Sequence, residues 1–224
     1  MTSAALAGRH WLVSAGPTYE DLDPVRFLGN RSSGKMGFAI AAAAAARGAQ
    51  VTLVAGPVRL DTPAGVRRID VRSAAQLHAA VLAALPADAY IGAAAVADWT
   101  PCAVAAHKLK KRAGQARLTL ELQRTADVLA EVAAHASRPR LVVGFAAETD
   151  DVATHARAKL VAKRVDLIAA NHVGVAGSGF ESDDNALTVY GRDFERALGP
   201  AAKTALADAL LDLIEDHFAT EPAA

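Results

Sequence analysis

Trp11-Leu-Val-Ser-Ala-Gly-Pro-Thr18, Asp23-Pro-Val-Arg26 and Asn30-Arg-Ser-Ser-Gly-Lys-Met-Gly37 decide how this chain is read. Residues 11–15 have the apolar run of a buried strand. Residues 33–48 read as a helix, because Gly34 and Gly37 lead into an unbroken alanine-rich run that stops at Arg47-Gly48. Ser32 and Ser33 are the candidate caps of that helix. Strand, glycine-bearing turn and helix open a nucleotide-binding βαβ unit. The short G-x-G-x-x-G turn is absent, and the connection far exceeds the about two to six residues usual between strand and helix. Pro17, Pro24, Arg26, Asn30, Ser32 and Ser33 furnish it, which suits a binding loop better than a mere link.

Outward from this stretch, strands and helices alternate. Strand 50–55 is stopped by Gly56-Pro57, and a short strand follows at 67–71. Ser73 caps a helix that runs through Leu85. Residues 89–96 are apolar throughout, as a central parallel strand requires. The alternation predicts an α/β, Rossmann-like, doubly wound and mainly parallel sheet with right-handed crossovers. The pattern then breaks. Residues 99–111 are irregular and basic, and residues 118–122 alternate as Leu-Thr-Leu-Glu-Leu, a half-exposed strand. Residues 100–123 are read as a flap inserted after the fourth strand. Helix 126–135, strand 140–146, helix 150–165 and strand 166–171 restore the alternation. A Gly/Ser/Asp loop at 174–184 and an edge strand at 186–190 follow. The closing helix, 200–218, turns Leu206, Leu210, Leu213 and Phe218 inward. One domain over 1–224 is expected, without an internal repeat.

Composition narrows the function. Of 224 residues, 52% are hydrophobic and the formal net charge is zero, so the chain is globular and is not expected to bind nucleic acid. The one cysteine, Cys102, fits a reducing cytoplasm and is expected to be a small buried residue. No leader or membrane span is expected: residues 39–46 form too short an apolar run to cross a bilayer.

Several residues carry chemistry. Asn30 precedes a helix start, where its amide could donate to a developing oxyanion or merely cap a turn. Ser32, Ser33 and Gly34 lie at a helix N-terminus, which favours an anion. Arg26 could reach a phosphate or serve a loop salt bridge. Asp98 follows the fourth strand at its carboxyl end, where open α/β sheets bind ligands. Its carboxylate can accept from the exocyclic amine of cytosine but would repel the uracil carbonyl, and the plainer alternative is a turn cap. Gly92, Ala93 and Ala94 are small enough for a ligand to approach the backbone. Lys108, Lys110 and Lys111 form a basic run on the flap, either a solvated face or a phosphate clamp. Lys159 and Lys163, four apart on a helix, border its apolar face and could snorkel outward or point into a site. Phe145 could stack on a base or fill core. The segment Ala126, Asp127, Val128, Leu129 opens a helix with free backbone N–H groups. The seven histidines form no zinc motif, so no fixed protein-only metal site is expected.

The order of motifs resembles phosphopantothenate–cysteine ligase of coenzyme A biosynthesis, the CTP-dependent bacterial type, over about residues 11–190. Ser14-Ala-Gly-Pro-Thr18, Asp23-Pro-Val-Arg26, Asn30-x-Ser-Ser-Gly-Lys-Met-Gly37, Ala93-Ala-Ala-Val-Ala-Asp98, Lys108-x-Lys-Lys111, Val143-Gly-Phe-Ala-Ala-Glu-Thr149 and Ala170-Asn171 carry it. The resemblance implies that the carboxylate of 4′-phosphopantothenate attacks the α-phosphate of CTP, with Mg²⁺ brought by the triphosphate. Pyrophosphate leaves, and the amine of L-cysteine then displaces CMP from the acyl-cytidylate. By the same resemblance Asn30 handles the intermediate and Lys108 is the catalytic lysine of the flap. Asp98 reads the base, and Phe145, Lys159, Lys163 and the segment from Ala126 bind nucleotide. Arg26, Asn30, Ser32, Ser33 and Gly34 are expected at the acyl substrate, and a homodimer at the flap strand. Thr125-Ala126 stands where the family commonly has Asn-Pro, which leaves main-chain contacts there. Asn171-His172 replaces Asn-Asp, and His172 is given no role. In bacteria this domain often follows a flavin-dependent decarboxylase. No such half precedes it here, so no flavin is expected. An NAD(P)-dependent reductase is the rival enzyme, but no acidic residue ends the second strand, where Ala55-Gly56 stand. A non-catalytic nucleotide-binding domain would keep the glycines without needing Asn30 and Lys108.

Overall fold

A strand covered on both faces needs a nearly continuous apolar run, and β1 (His10–Ala15) supplies one, broken only by Ser14, with Trp11 through Ala15 all buried. The structure, a computed structural model, describes residues 6–111, 113–172 and 183–220, with backbone alone from residue 217. After β1 come a hairpin of β2 (Tyr19–Asp23) and β3 (Arg26–Gly29), then α1 (Lys35–Ala46), β4 (Gln50–Ala55), β5 (Val66–Asp70), α2 (Ala74–Ala83) and β6 (Ala89–Gly92). A second hairpin pairs β7 (Trp99–Pro101) with β8 (Leu122–Arg124). The chain continues through α3 (Val128–Ala134), β9 (Leu141–Glu148), α4 (Val152–Lys163), β10 (Leu167–His172), β11 (Asp184–Tyr190), β12 (Glu195–Ala202) and α5 (Lys203–Thr220).

The main sheet has the order β12-β11-β10-β9-β6-β1-β4-β5. The strands from β10 to β5 in that order are parallel, and β11 and β12 are antiparallel additions at one edge. This is the expected doubly wound sheet. Helices α1 and α5 cover one face, packing Phe38, Ile40, Leu210 and Ile214 against Trp11 and Val13. Helices α2, α3 and α4 cover the other, around Leu12, Leu77, Val132 and Ile168. Arg47, capping α1, reaches Asp208, Asp212 and Glu215 on α5. Asp208 and Asp212 are exposed, so their pairs contribute at most about 1 kcal/mol each, and only Glu215 is as buried as Arg47. Against this, each of the several buried Leu and Ile side chains contributes about 1.5–3 kcal/mol. The apolar stripe therefore holds α5, and Arg47 sets its register. Among the described residues no helix is long and apolar enough to cross a membrane.

Most element ends fall within a residue or two of those expected, and the capping box of Ser73 with Gln76 is present. Other expectations are corrected. The long connection is not a bare loop. It folds into β2–β3, stapled by the Tyr19 and Phe27 rings stacked 3.9 Å apart. Helix α1 starts at Lys35, and neither Ser32 nor Ser33 caps it. Gly34 does so in the left-handed region, φ 76°, a conformation that glycine adopts without cost. The strand expected at 89–96 ends at Gly92. Beyond it Ala93 and Ala95 donate to the carbonyls of Ser14 and Gly16 and the chain leaves the sheet. Of the expected strand at 118–122 only Leu122 pairs, within β8, and Leu118 and Leu120 are exposed. β12 was not foreseen, and it takes the residues from Pro200 that were read as helix. Cys102 is exposed, not buried, because the flap leaves it outside both cores. The loop at 174–184 lies largely outside the described residues, as does the Phe218 side chain.

The β2–β3 hairpin holds the flap. Asp23 Oδ1 accepts from the N–H groups of Val25 and Arg26, at 2.9 and 3.0 Å. Its Oδ2 accepts from the Arg26 guanidinium and from the Leu109 N–H, the latter at 3.0 Å. Arg26 in turn donates to the Leu109 carbonyl at 2.7 Å. The guanidinium and the backbone donors hold the Asp23 carboxyl well below the usual carboxylate range. The anchor is therefore complete above that range and weakens only as pH falls toward the depressed value. Replacing Asp23 by Ala removes these acceptors. Trypsin should then cut the flap after Lys108, Lys110 or Lys111 roughly tenfold faster, since cleavage follows the open population. Unchanged cleavage would mean that the flap is held elsewhere. A second expectation concerns Gly56, where a Cβ would lie 1.8 Å from the Pro17 carbonyl oxygen. Backbone cannot yield there, so Gly56→Ala should cost about 3 kcal/mol or more in urea unfolding. A cost below about 1 kcal/mol would contradict that geometry.

Candidate active site

Strand order reverses between β1 and β6, and open α/β sheets bind ligands outside the carboxyl ends of the strands at such a point. Two cavities open there, of 530 and 440 Å³. They share a wall made of Ala94, Val96, Asp98, Phe145 and Lys159.

The first cavity has Ser14 and Tyr90 at its base, their hydroxyls 3.0 Å apart. Burial pushes the Tyr90 phenol up to about 12, so it stays protonated and able to donate. Gly92, Ala126, Asp127, Val128 and Leu129, named for the nucleotide, line this cavity, whereas Ala93, named with them, lines only the second. Asp127 caps α3 by accepting from the Ala130 N–H at 3.1 Å, and its other oxygen takes the Lys163 ammonium. Burial works against the Asp127 charge, but Lys163 outweighs it, and the pKa falls below the ordinary value. Lys159 donates to the Phe145 carbonyl at 2.8 Å. Burial lowers its pKa, against the pull of Glu148. Both lysines thus point into the site rather than snorkel away. Trp99 closes the rim, with the Arg124 guanidinium 5.8 Å from its ring centre.

The second cavity is lined by Asn30, Ser32, Ser33, Gly34 and Ala93. Asn30 Nδ2 donates to the Ala95 carbonyl at 2.9 Å, which fixes the carboxamide beside the shared wall. Ser32 Oγ accepts from the Gly34 N–H at 3.3 Å.

Two expected residues are not brought in. Arg26 lines neither cavity, its guanidinium being engaged by Asp23 and Leu109. Lys108 lines neither, standing exposed on the flap. Sequence reasoning missed Ser14, Tyr90, Trp99 and Arg124 in the first cavity, and Lys35, Asn171, Asn185 and Lys203 in the second. A signal existed for Lys35, beside the glycine that caps α1. For Lys203 there was none, since it is far from any motif. Among the described residues no three His, Cys, Asp or Glu gather as a metal site.

The arrangement offers a partly cationic cavity of 530 Å³ beside a second cavity rich in amide and hydroxyl groups. Residues 6–218 match the family model described as DNA/pantothenate metabolism flavoprotein C-terminal domain. The coenzyme A biosynthesis bifunctional protein CoaBC of Vibrio cholerae is 51% identical over 95% of this chain and 54% of its own length. The CoaBC protein of Escherichia coli is 50% identical over 92% of this chain and 52% of its own length. The chain thus spans about half the length of the curated relatives it matches. The crystal structure of the C-terminal domain of CoaBC superposes with a TM-score of 0.82 at 37% identity, covering 98% of this chain and 100% of that one. The chain belongs to the family of DNA/pantothenate metabolism flavoprotein C-terminal domains.

Proposed function

We propose that this chain joins 4′-phosphopantothenate to L-cysteine in the cytoplasm, driven by CTP. The observation that carries the reading is the shared wall. Two cavities meeting at Asp98, Phe145 and Lys159 suit a reaction in which two bound substrates react with each other. The membership of the CoaBC-like family supports coenzyme A biosynthesis as its setting.

In this reading CTP enters the first cavity as its Mg²⁺ complex. Asp98 accepts from the cytosine amine, and Lys159 and Lys163 meet the phosphates. The carboxylate of phosphopantothenate, in the second cavity, attacks the α-phosphorus and expels pyrophosphate. The acyl-cytidylate so formed lies beside Asn30, whose amide hydrogens can steady charge on the acyl oxygen. Cysteine's amine then displaces CMP and gives the amide. Lys108 acts on the leaving pyrophosphate once the flap closes, which also keeps water from the intermediate. Exposed Phe27, Trp99, Leu118 and Leu120 on the hairpin and flap support a homodimer.

Incubation with CTP, phosphopantothenate and cysteine should release pyrophosphate and yield phosphopantothenoylcysteine. Asp98→Ala should lower the preference for CTP over UTP roughly tenfold, as expected for losing one base-reading contact. Full selectivity in that variant would place base recognition elsewhere. No pyrophosphate from the wild-type chain under these conditions would overturn the ligase reading itself.

A further inference from the structure

Tyr90 is 2% exposed and Ser14 1%, yet both line the first cavity. Among the described residues their hydroxyls, 3.0 Å apart, bond only to each other. Each hydroxyl carries one hydrogen, and the bond between them uses one, so one O–H is left over whichever donates. Buried polar groups are normally satisfied, and an idle donor at the base of a cavity points to a ligand that accepts. The fold holds this donor still. The Tyr90 ring packs into the core with Leu12, Leu77 and Val128, and Ser14 stands opposite Gly92 in the β1–β6 ladder. A Cβ at Gly92 would lie 3.5 Å from Tyr90 Oη and 3.3 Å from Leu129. Glycine there leaves the hydroxyl uncovered. The charged groups of this cavity come from other elements: Lys159 and Lys163 from α4, Asp127 from the start of α3, and Asp98 and Arg124 from the ends of the β7–β8 hairpin. The surround of the hydroxyl pair is Gly92 and Leu129, which suits an uncharged ring better than a phosphate.

We infer that the Tyr90 hydroxyl, polarised by Ser14, donates to the O2 carbonyl of the pyrimidine held in the first cavity. The inference rests on the ligase reading and deepens it. Cytosine carries its N4 amine and its O2 carbonyl on one edge, either side of N3. An amine held at Asp98 leaves O2 as the carbonyl acceptor of that edge. Uracil has the same O2, so this contact selects a pyrimidine carbonyl without telling cytosine from uracil, and Asp98 makes that distinction. Ser14 donating to Tyr90, and Tyr90 to the base, forms a chain in which the first bond strengthens the second. The phenol is more acidic than an alcohol and is the better terminal donor.

The test measures kcat/KM for CTP, UTP and 2-thio-CTP, whose thiocarbonyl accepts hydrogen bonds poorly. The wild-type chain should use 2-thio-CTP roughly tenfold less well than CTP. Tyr90→Phe should lose roughly tenfold with CTP and with UTP alike, keeping the preference between them, and should no longer distinguish CTP from 2-thio-CTP. KM for phosphopantothenate and for cysteine should not move. Ser14→Ala keeps the phenol and should lose less, about two- to threefold. If Tyr90 serves only the packing, Tyr90→Phe lowers all three nucleotides by one factor and leaves the discrimination against 2-thio-CTP in place, which overturns the contact. A loss with CTP but not with UTP would assign the donor to N3 and overturn the assignment to O2. Equal use of CTP and 2-thio-CTP by the wild-type chain overturns it even if Tyr90→Phe does not fold. Should the wild-type chain make no product, the ligase reading fails on its own. The contact is then judged by calorimetry: roughly tenfold tighter binding of CTP than of 2-thio-CTP, lost in Tyr90→Phe, supports it, and equal binding overturns it.

Discussion

β1 and β6 are hydrogen-bonded neighbours, Trp11–Ser14 against Ala89–Gly92, yet the chain leaves them toward opposite edges of the sheet. No crossover can cover both carboxyl ends, and a crevice is left between them. The two departing segments do not separate at once. Ala93 donates to Ser14, Ala95 to Gly16, and Thr18 to Ala95, so they climb together as a narrow extended ridge. Alternation along the ridge turns Gly92 to the first cavity and Ala93 and Ala95 to the second, while Ala94 and Val96 border both. Small side chains make the ridge thin, and its thinness brings occupants of the two cavities within reach of each other.

Charge is distributed to match. The whole chain is formally neutral, but the cavities are not. Lys159 stands on the shared wall, tied to the Phe145 carbonyl and already partly desolvated, so it can serve an anion on either side. A unit-charge pair about 4 Å apart gains about 1 kcal/mol in water and about 4 kcal/mol near a protein surface. Excluding water from this crevice would therefore multiply what the lysines contribute. The flap is the element able to do so, and Asp23 ties it to the hairpin that also leads to Asn30.

Long apolar strands and the caps of α2 were legible because local pattern decided them. β2 and β3 were not: they are short, β2 is largely polar, and only the Tyr19–Phe27 stack and the Asp23 contacts, which need the folded turn, reveal them. β12, with Gly199-Pro200 inside it, has the composition of a turn and is a strand only because β11 offers an edge. The site shows the same division. The residues on the ridge and around α3 and α4 could be named from motifs that lie in single segments. Lys35, Asn185 and Lys203 belong to segments far apart in sequence, and no spacing rule joins them. Arg26 and Lys108 were named as site residues, yet neither lines a cavity in this conformation, because side chains on the hairpin and flap take their positions from contacts beyond the sheet.

The central claim is that a carboxylate in the second cavity attacks the α-phosphorus of a nucleotide in the first. Phosphopantothenate labelled with heavy oxygen in its carboxylate tests it directly, with the label followed by mass spectrometry after turnover with CTP and cysteine. The account predicts one heavy oxygen in CMP and none in pyrophosphate. Label in pyrophosphate, or in free phosphate, would place the attack on a different phosphorus and contradict it.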